Sequence, residues 1–493
     1  MLPRALTVSC ALIPMMASAL ASMPGEVYAA GIEYPDNGTV AIGRGGAHAA
    51  YPDDGMAFQY NPAGLAQQRG WHLLVDSRLA MQAVRFEPAP FACEVKDGKK
   101  ACSQADAIEN DAPPFLAPSF ALSWGTGPVG PLSSLTLAIA ATGPSSIGRL
   151  SYPKTGAERY ALDQTDYLIA FYSAAVAGGI GDWLRFGVTG QLAHGKARFT
   201  QAVWSGFGKQ TELKDTSFDS TAEFDGESGL LPTGILGVTW LPGGGFAVGA
   251  SYRPGLTFDA PGELTVTPPK FALDQGIGVA NETRADGSRV YAENARLLLN
   301  FADLVRLGVR HQTTPRLSWE VDATWERWSV LQQIEIRVQG LSVTYQSNGP
   351  QKVPVADIVF QKHFEDAVSL RAGADYTLLP DRLTVRGGYT METSAIPERF
   401  ASVDFPNWGR HALAAGLTWH LYGAALDLAY AHHFVASQNV TDSQVVQQVS
   451  PELKGSGLPA SEASVVGNGR YEAAMDLVSL SIRLPFGGLR SAY

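Results

Sequence analysis

From Trp71 onward, apolar and polar residues alternate with a period of two through segment after segment, and no helical period of 3.6 is sustained. Leu317, Trp319, Val321, Ala323 and Trp325 share one face of an extended chain. Ser318, Glu320, Asp322, Thr324 and Glu326 share the other, which therefore carries three acids. The same parity sets Leu184, Phe186, Val188, Gly190 and Leu192 against Arg185, Gly187, Thr189 and Gln191. It sets Val368, Leu370, Ala372, Ala374 and Tyr376 against Ser369, Arg371, Gly373 and Asp375, and Leu383, Val385 and Tyr389 against Thr384, Arg386 and Thr390. Arg185, Arg371 and Arg386 thus fall on the wet face, as do most of the glycines.

A soluble sandwich also alternates, so strand length has to decide. Many of these segments exceed the roughly 9 to 11 residues that cross a bilayer at a tilt, whereas soluble strands usually stop near 5 or 6. Aromatic residues gather toward the segment ends (Trp183, Tyr252, Trp319, Trp325, Trp328, Trp419, Tyr422 and Tyr430), as interfacial girdles require. Candidate strands lie at 71–85, 115–125, 132–145, 165–179, 183–200, 229–242, 245–258, 292–312, 316–338, 356–378, 382–393, 410–421, 424–437 and 470–486. That makes about 14, an even number, as single-chain bacterial barrels have. Unpaired backbone groups cannot face lipid, so the sheet must close on itself. The predicted fold is all-β: a transmembrane antiparallel β-barrel over 71–493. Tight connections such as 241–245, 313–316 and 379–382 should face the periplasm, and long ones such as 201–228, 259–291 and 438–469 the outside.

Composition agrees with this picture. A soluble chain of 493 residues would be expected to split into domains, because one packed core stops growing near roughly 250 to 300 residues; a large barrel escapes that limit. The charged fraction of 17% is low beside the roughly 25% of soluble domains, as a lipid-facing surface demands. A net charge of −10 without any basic tract excludes binding to a nucleic-acid backbone. Arg4 followed by the uncharged stretch Ala5 to Leu20 reads as a signal peptide within 1–29, with cleavage open between Ala21 and Ala29. Beyond it, no uncharged apolar run approaches the roughly 20 residues of a membrane helix. Export to an oxidising compartment predicts a disulfide between Cys93 and Cys102; the alternative is two free thiols, since zinc would need ligands this segment lacks. The final strand runs Ala474, Asp476, Val478, Leu480, Ile482 and Leu484 on one face, and the chain ends at Tyr493. An aromatic terminus after such a strand resembles the signal read by the barrel-assembly machinery.

Residues 30–70 do not alternate. They hold small residues, turn formers and acids, too many for a linker and too few for a domain. A hatch folded into the lumen would give them a place, since larger barrels leave an interior to fill. Here the sequence resembles the FadL/TodX family of outer-membrane transporters for long-chain fatty acids and aromatic hydrocarbons. The resemblance rests on Ala41 to Ala47, Asp53 to Ala57 and Asn61 to Ala66, then on Tyr152-Pro153, Glu158-Arg159-Tyr160, Leu307 to Trp328, and Phe405-Pro406-Asn407 through Gly416. Where the family shows a Pro-Phe-Gly-like turn after its third strand, this chain has Thr142-Gly143-Pro144.

The resemblance implies a 14-stranded, hatch-plugged monomer in outer-membrane lipid with a hydrophobic small-molecule ligand and no cofactor. The ligand settles in an apolar groove among the outer loops, enters the barrel, and leaves sideways where the third strand is kinked. Asn61, Pro62 and Ala63 are the hatch motif, and Gly143 and Pro144 the candidate kink, with a plain turn as the alternative. Arg44, Arg185, Arg371 and Arg386 are candidate lumen charges for a ligand carboxylate. The bland reading for Arg44 is an ion pair with Glu320, Asp322 or Glu326, because buried charges are normally paired. Rival classes are an enzyme, a receptor or adhesin using the long loops, and an open porin. Catalysis needs a nucleophile beside a base, and His432, His433 and Asp427 offer no nucleophile, with the two His on opposite faces.

Overall fold

The computed structural model describes residues 31–33, 37–96, 99–103, 105–143, 148–281, 294–347 and 349–486; the signal segment, Pro144 and Tyr493 lie outside the described residues. The alternating segments become long antiparallel strands. They are β1 Gly70–Pro88, β2 Phe115–Gly125, β3 Ser134–Thr142, β4 Gln164–Ile180, β5 Leu184–Trp204, β6 Leu231–Gly243 and β7 Phe246–Arg253 in the first half. The second half adds β8 Leu304–Thr314, β9 Leu317–Glu326, β10 Ala367–Leu379, β11 Leu383–Glu392, β12 Arg410–Leu421, β13 Ala424–Val435 and β14 Gly469–Phe486. Each pairs with the next, and β14 closes the 14-stranded cylinder on β1, in register from Trp71 opposite Phe486 to Pro88 opposite Gly469. Closure leaves no edge, which is what a backbone in lipid requires.

Parity assigns the faces as expected. On β9, Ser318, Glu320, Asp322, Thr324 and Glu326 are buried toward the lumen, while Trp325 is exposed outward. Exposed Trp71, Trp124, Trp183, Trp240, Trp419 and Phe486 form a girdle at the end with the tight turns, and Tyr252, Trp325, Tyr430 and Phe434 one at the other end. Trp328 departs from its expected place. It is fully buried, packed beneath Phe301 and Phe364, because β9 ends at Glu326 and the chain turns inward there.

Other expected strands prove too long. The 292–312 segment divides into Ala295–Phe301 and β8, and 316–338 divides into β9 and Gln333–Val338. Segment 356–378 divides into Ile358–Gln361 and β10, and 245–258 breaks after Arg253, where Pro254 lacks a ladder donor. The surplus pieces are still strands, paired outside the main cylinder. Asp219–Glu227, Leu256–Thr267, Ala295–Phe301, Gln333–Val338 and Ile358–Gln361 add side by side to the outer half of β5 and extend the wall beyond the barrel. Alternation cannot separate a strand that crosses lipid from one that continues above it. The outer hairpin of Phe91–Lys96 and Lys99–Ser103 is closed by a disulfide between Cys93 and Cys102.

The segment from Asn37 to Arg69 crosses the lumen. It forms two short helices, α1 Thr39–Gly43 and α2 Ala57–Tyr60, and a 3₁₀ turn over Pro62–Gln67. Nearly all of it is buried. Glycines on the inner wall let it approach: a Cβ on Gly388 would lie 2.0 Å from the Arg44 backbone, and one on Gly237 would lie 2.2 Å from Asn61 Oδ1.

Candidate functional site: groove, chamber and hatch

A hatch inside a barrel must satisfy its own backbone, because so short a segment cannot form a sheet of its own. Wall side chains do this work. Asp322 accepts the His48 and Ala49 N–H groups at 2.7 and 2.8 Å, and Glu320 accepts that of Ala50 at 2.8 Å. Asp76 accepts from Thr39 N at 2.7 Å and Thr39 Oγ1 at 2.6 Å. Thr189, Ser251 and Thr390 donate to the carbonyls of Phe58, Tyr60 and Gly45.

The hatch motif sits at the centre of this lattice. Asn61 Nδ2 donates to Ala49 O at 2.8 Å, to Val238 O at 3.0 Å and to Thr239 Oγ1 at 3.1 Å. Its Oδ1 accepts from Ala63 N at 3.2 Å and caps the 3₁₀ turn that Pro62 opens. One side chain thereby ties two stretches of hatch to β6.

Arg44 is paired, but with other acids than the sequence suggested. Its guanidinium bridges Asp53 of the hatch (Nη1 and Nη2, each 3.0 Å) and Asp375 of β10 (Nε, 3.0 Å), and it meets His48 Nδ1 at 3.0 Å. Glu320 and Asp322 are engaged by hatch N–H groups, and Glu326 accepts from Trp328 Nε1 at 2.7 Å. Parity placed all four acids on the inner face; which of them stands at the height of Arg44 is set by strand stagger. Arg386 meets Asp375 at 3.2 Å, Arg371 lies 3.5 Å from Glu392, and the Arg185 guanidinium lies 5.0 Å from the ring centre of Tyr51. Arg306, which the sequence did not single out, donates to Gln59 O and lies over the Tyr60 ring. These arginines hold hatch to wall or wall to wall. Asp427 pairs with Arg483 and His432 with Asp476, and along β13 Asp427 stands five and six residues, roughly 17–20 Å, from the two His.

Above the hatch the lumen turns apolar and aromatic. Ring centres follow one another from Phe258 to Phe301 (6.3 Å), Trp328 (6.4 Å), Phe364 (6.4 Å) and Phe405 (6.5 Å), while at one side Phe86 stacks on Tyr471, which meets Trp408 edge-on. Residues 31–33 enter this chamber. Asn407 Nδ2 donates to Gly31 O at 2.7 Å, Arg253 pairs with Glu33, and a Cβ on Gly31 would strike the Trp328 ring. Phe405-Pro406-Asn407 thus has a visible task. Glu158 and Asp163 lie at the roof in an outer loop, where burial pushes their carboxyls up to about 8 and about 7.

Four outer loops meet over a groove of about 210 Å³. Val203, Phe207, Ala222, Val266, Val343 and Ile358 supply much of its apolar surface. Ala222 and Ile358 belong to the same contiguous apolar cluster as Phe224, Phe199, Trp328 and Phe405, and that cluster includes Ile32 and, in the hatch, Ile42. Which residues line the groove was not legible in the sequence, because they are spread over 203–461.

At the end of β3 the register against β4 changes, from Thr142 opposite Phe171 to Arg149 opposite Asp166. Among the described residues, pairing with β2 and β4 runs to Thr142, and Arg149–Ser151 pairs again with β4. Gly143 N donates to Pro118 O at 2.6 Å, and a Cβ there would lie 2.7 Å from that oxygen. A cavity of about 20 Å³, lined in part by Arg78, Gln82, Phe115 and Arg149, lies just inside.

The family model described as "Outer membrane protein transport protein (OMPP1/FadL/TodX)" matches residues 20–469. Among proteins of curated function, none matches the chain by sequence. A Pseudomonas aeruginosa FadL homologue of known structure is similar at 16% identity, over 93% of this chain and 100% of that one, with a TM-score of 0.69. The Pseudomonas putida toluene transporter TodX is similar at 12% identity over 93% and 100%, with a TM-score of 0.60. The Ralstonia pickettii toluene transporter TbuX is similar at 14% over 92% and 99%, with a TM-score of 0.57. An outer-membrane barrel with an obstructed lumen and an apolar outer groove therefore has its family: the chain belongs to the OMPP1/FadL/TodX outer-membrane transport proteins.

Proposed function

We propose that the protein carries hydrophobic small molecules, with long-chain fatty acids the first class to test, from the outer groove through the aromatic chamber and past the hatch to a lateral exit at the end of β3. The observation that supports this most is the continuous apolar cluster joining groove to hatch. A water-filled pore would leave an alkyl chain exposed at a cost of about 0.8 kcal/mol per methylene, which such a path avoids. In this reading Asn61, Pro62 and Ala63 hold the hatch shut, and Gly143 with Pro144 marks the exit. The 20 Å³ cavity beside it holds about one water and no ligand, so passage requires the wall or hatch to shift. Arg44, Arg371 and Arg386 serve the hatch and wall rather than a ligand carboxylate. Toluene transport by two of the structural relatives extends the candidates to aromatic hydrocarbons.

The test is uptake of a labelled long-chain fatty acid by cells lacking their own transporter and expressing this chain, beside the variant Asn61→Ala with Pro62→Ala. Barrel-dependent uptake that falls in the variant is the expected result. Absence of uptake by a correctly assembled barrel would move the assignment to another apolar compound or to a receptor.

A further inference from the structure

The outer groove carries more information than its apolarity. Among the described residues that line it, none is Lys or Arg, and two are acids, Asp357 and Glu452. Its hydroxyls are turned on one another: Ser205 Oγ lies 2.6 Å from both Ser220 Oγ and Ser450 Oγ. Asp357 accepts the Val338 N–H at 2.8 Å, which holds its carboxylate in place; both acids are exposed at the groove. Further in, the cations that border the chamber are already neutralised, Lys362 by Asp404, Arg253 by Glu33 and Arg159 by Asp219. A carboxylate entering here would lose water, meet no cation among the described lining residues, and face two like charges, each of which disfavours the ionised form. An uncharged molecule meets none of these costs. The volume is compatible: an apolar cavity of about 150 Å³ takes benzene, so 210 Å³ holds one ring or a short stretch of chain at a time.

We infer that the groove selects against negative charge, with Asp357 and Glu452 as specificity-determining residues, and that a fatty acid enters it in its protonated form while alcohols and hydrocarbons enter at any pH. This rests on the transport reading above. It adds a rule about the ligand's charge that the reading does not contain.

The experiment uses the full barrel in lipid nanodiscs and follows displacement of an uncharged fluorescent alkylnaphthalene by decanol and by decanoate. Decanol should displace the probe equally at about pH 5.5 and about pH 8. Decanoate should be at least about tenfold weaker at the higher pH and recover as pH falls, since the neutral fraction of a carboxyl with pKa near 4.3 grows about tenfold per pH unit in this range. Changing Asp357→Asn together with Glu452→Gln should narrow the gap, and Glu452→Lys should narrow it further, with decanol unchanged. Equal displacement by both ligands at both pH values overturns the inference and leaves the transport reading standing. A gap that the variants leave unchanged overturns the assignment to Asp357 and Glu452. Failure of the probe and of decanol to bind the groove overturns the transport reading itself.

Discussion

The hatch meets the barrel wall in two unlike ways. Toward β8 to β12 it is held by directional bonds: Arg44 to Asp375, the backbone of residues 48–50 to Asp322 and Glu320, and Gly45 O to Thr390. Toward β1 to β4, Asp76 holds Thr39 at the start of α1, and beyond that point the contact is apolar: Met56, Phe58 and Leu65 pack on Leu74, Ala121, Ala138, Ala140, Ala175 and Ala177. Hydrogen bonds to charged groups lose strength steeply with misalignment, whereas contacts with a row of methyl groups have no preferred register. The charged side therefore acts as an anchor, and the alanine side as a surface along which the hatch can shift. Strand β3, whose register against β4 changes between Thr142 and Arg149, belongs to this side, where motion toward the proposed exit would meet least resistance.

This contrast can be broken most strongly at Arg44. Arg44→Ala removes the buried cation that Asp53 and Asp375 share and leaves them Arg310 at 3.5 and 3.7 Å and, for Asp375, Arg386 at 3.2 Å, an effect of up to about 3–5 kcal/mol. It should abolish the slow hydrogen exchange of residues 39–61 and raise conductance in planar bilayers. Ala138→Gly, on the smooth side, should cost under about 1 kcal/mol and leave both measurements near wild type. Comparable effects from the two variants would erase the distinction between the walls.

A smaller effect is expected at the chamber roof. Burial holds Glu158 near 8 and Asp163 near 7, above the ordinary values of 4.5 and 3.8. A raised carboxyl pKa means that the folded loop binds more protons than the unfolded chain, so its stability is greatest at low pH and declines as pH rises from about 4.5 through 8. Exchange protection of residues 148–163 should accordingly be higher at about pH 6 than at about pH 8.5. Glu158→Gln should flatten most of that dependence; an undiminished slope would place its origin elsewhere.

The least effect on transport should follow loss of the disulfide. Cys93 and Cys102 are exposed at an outer hairpin, away from groove and hatch. Replacing both with Ser removes a loop constraint worth about 2–3 kcal/mol in the unfolded state. Proteolysis of the hairpin should quicken while uptake stays unchanged, and a matching fall in uptake would tie the hairpin to the path.

Much of the architecture was readable before any coordinates. Parity in segments such as Leu317 to Glu326 and Val368 to Tyr376 assigned the faces, because in a barrel one face meets lipid and the other water or hatch for the whole length of a strand. The count of strands and the place of the hatch followed from the same pattern and its absence over 30–70. Less was readable where strands leave the membrane. The outer pieces at 295–301 and 333–338 alternate as well as the crossing strands do, yet belong to the extension above.

What the sequence by itself determined is which side of each strand faces in, since a period of two is a local property of the backbone. Which acid stands opposite Arg44, how Trp328 comes to lie under Phe301 and Phe364, and which residues form the groove were decided by the tertiary structure. Strand stagger sets the height of each inner side chain, and loop packing joins positions as far apart as Val203 and Ser461; neither distance is written in any local window of the chain.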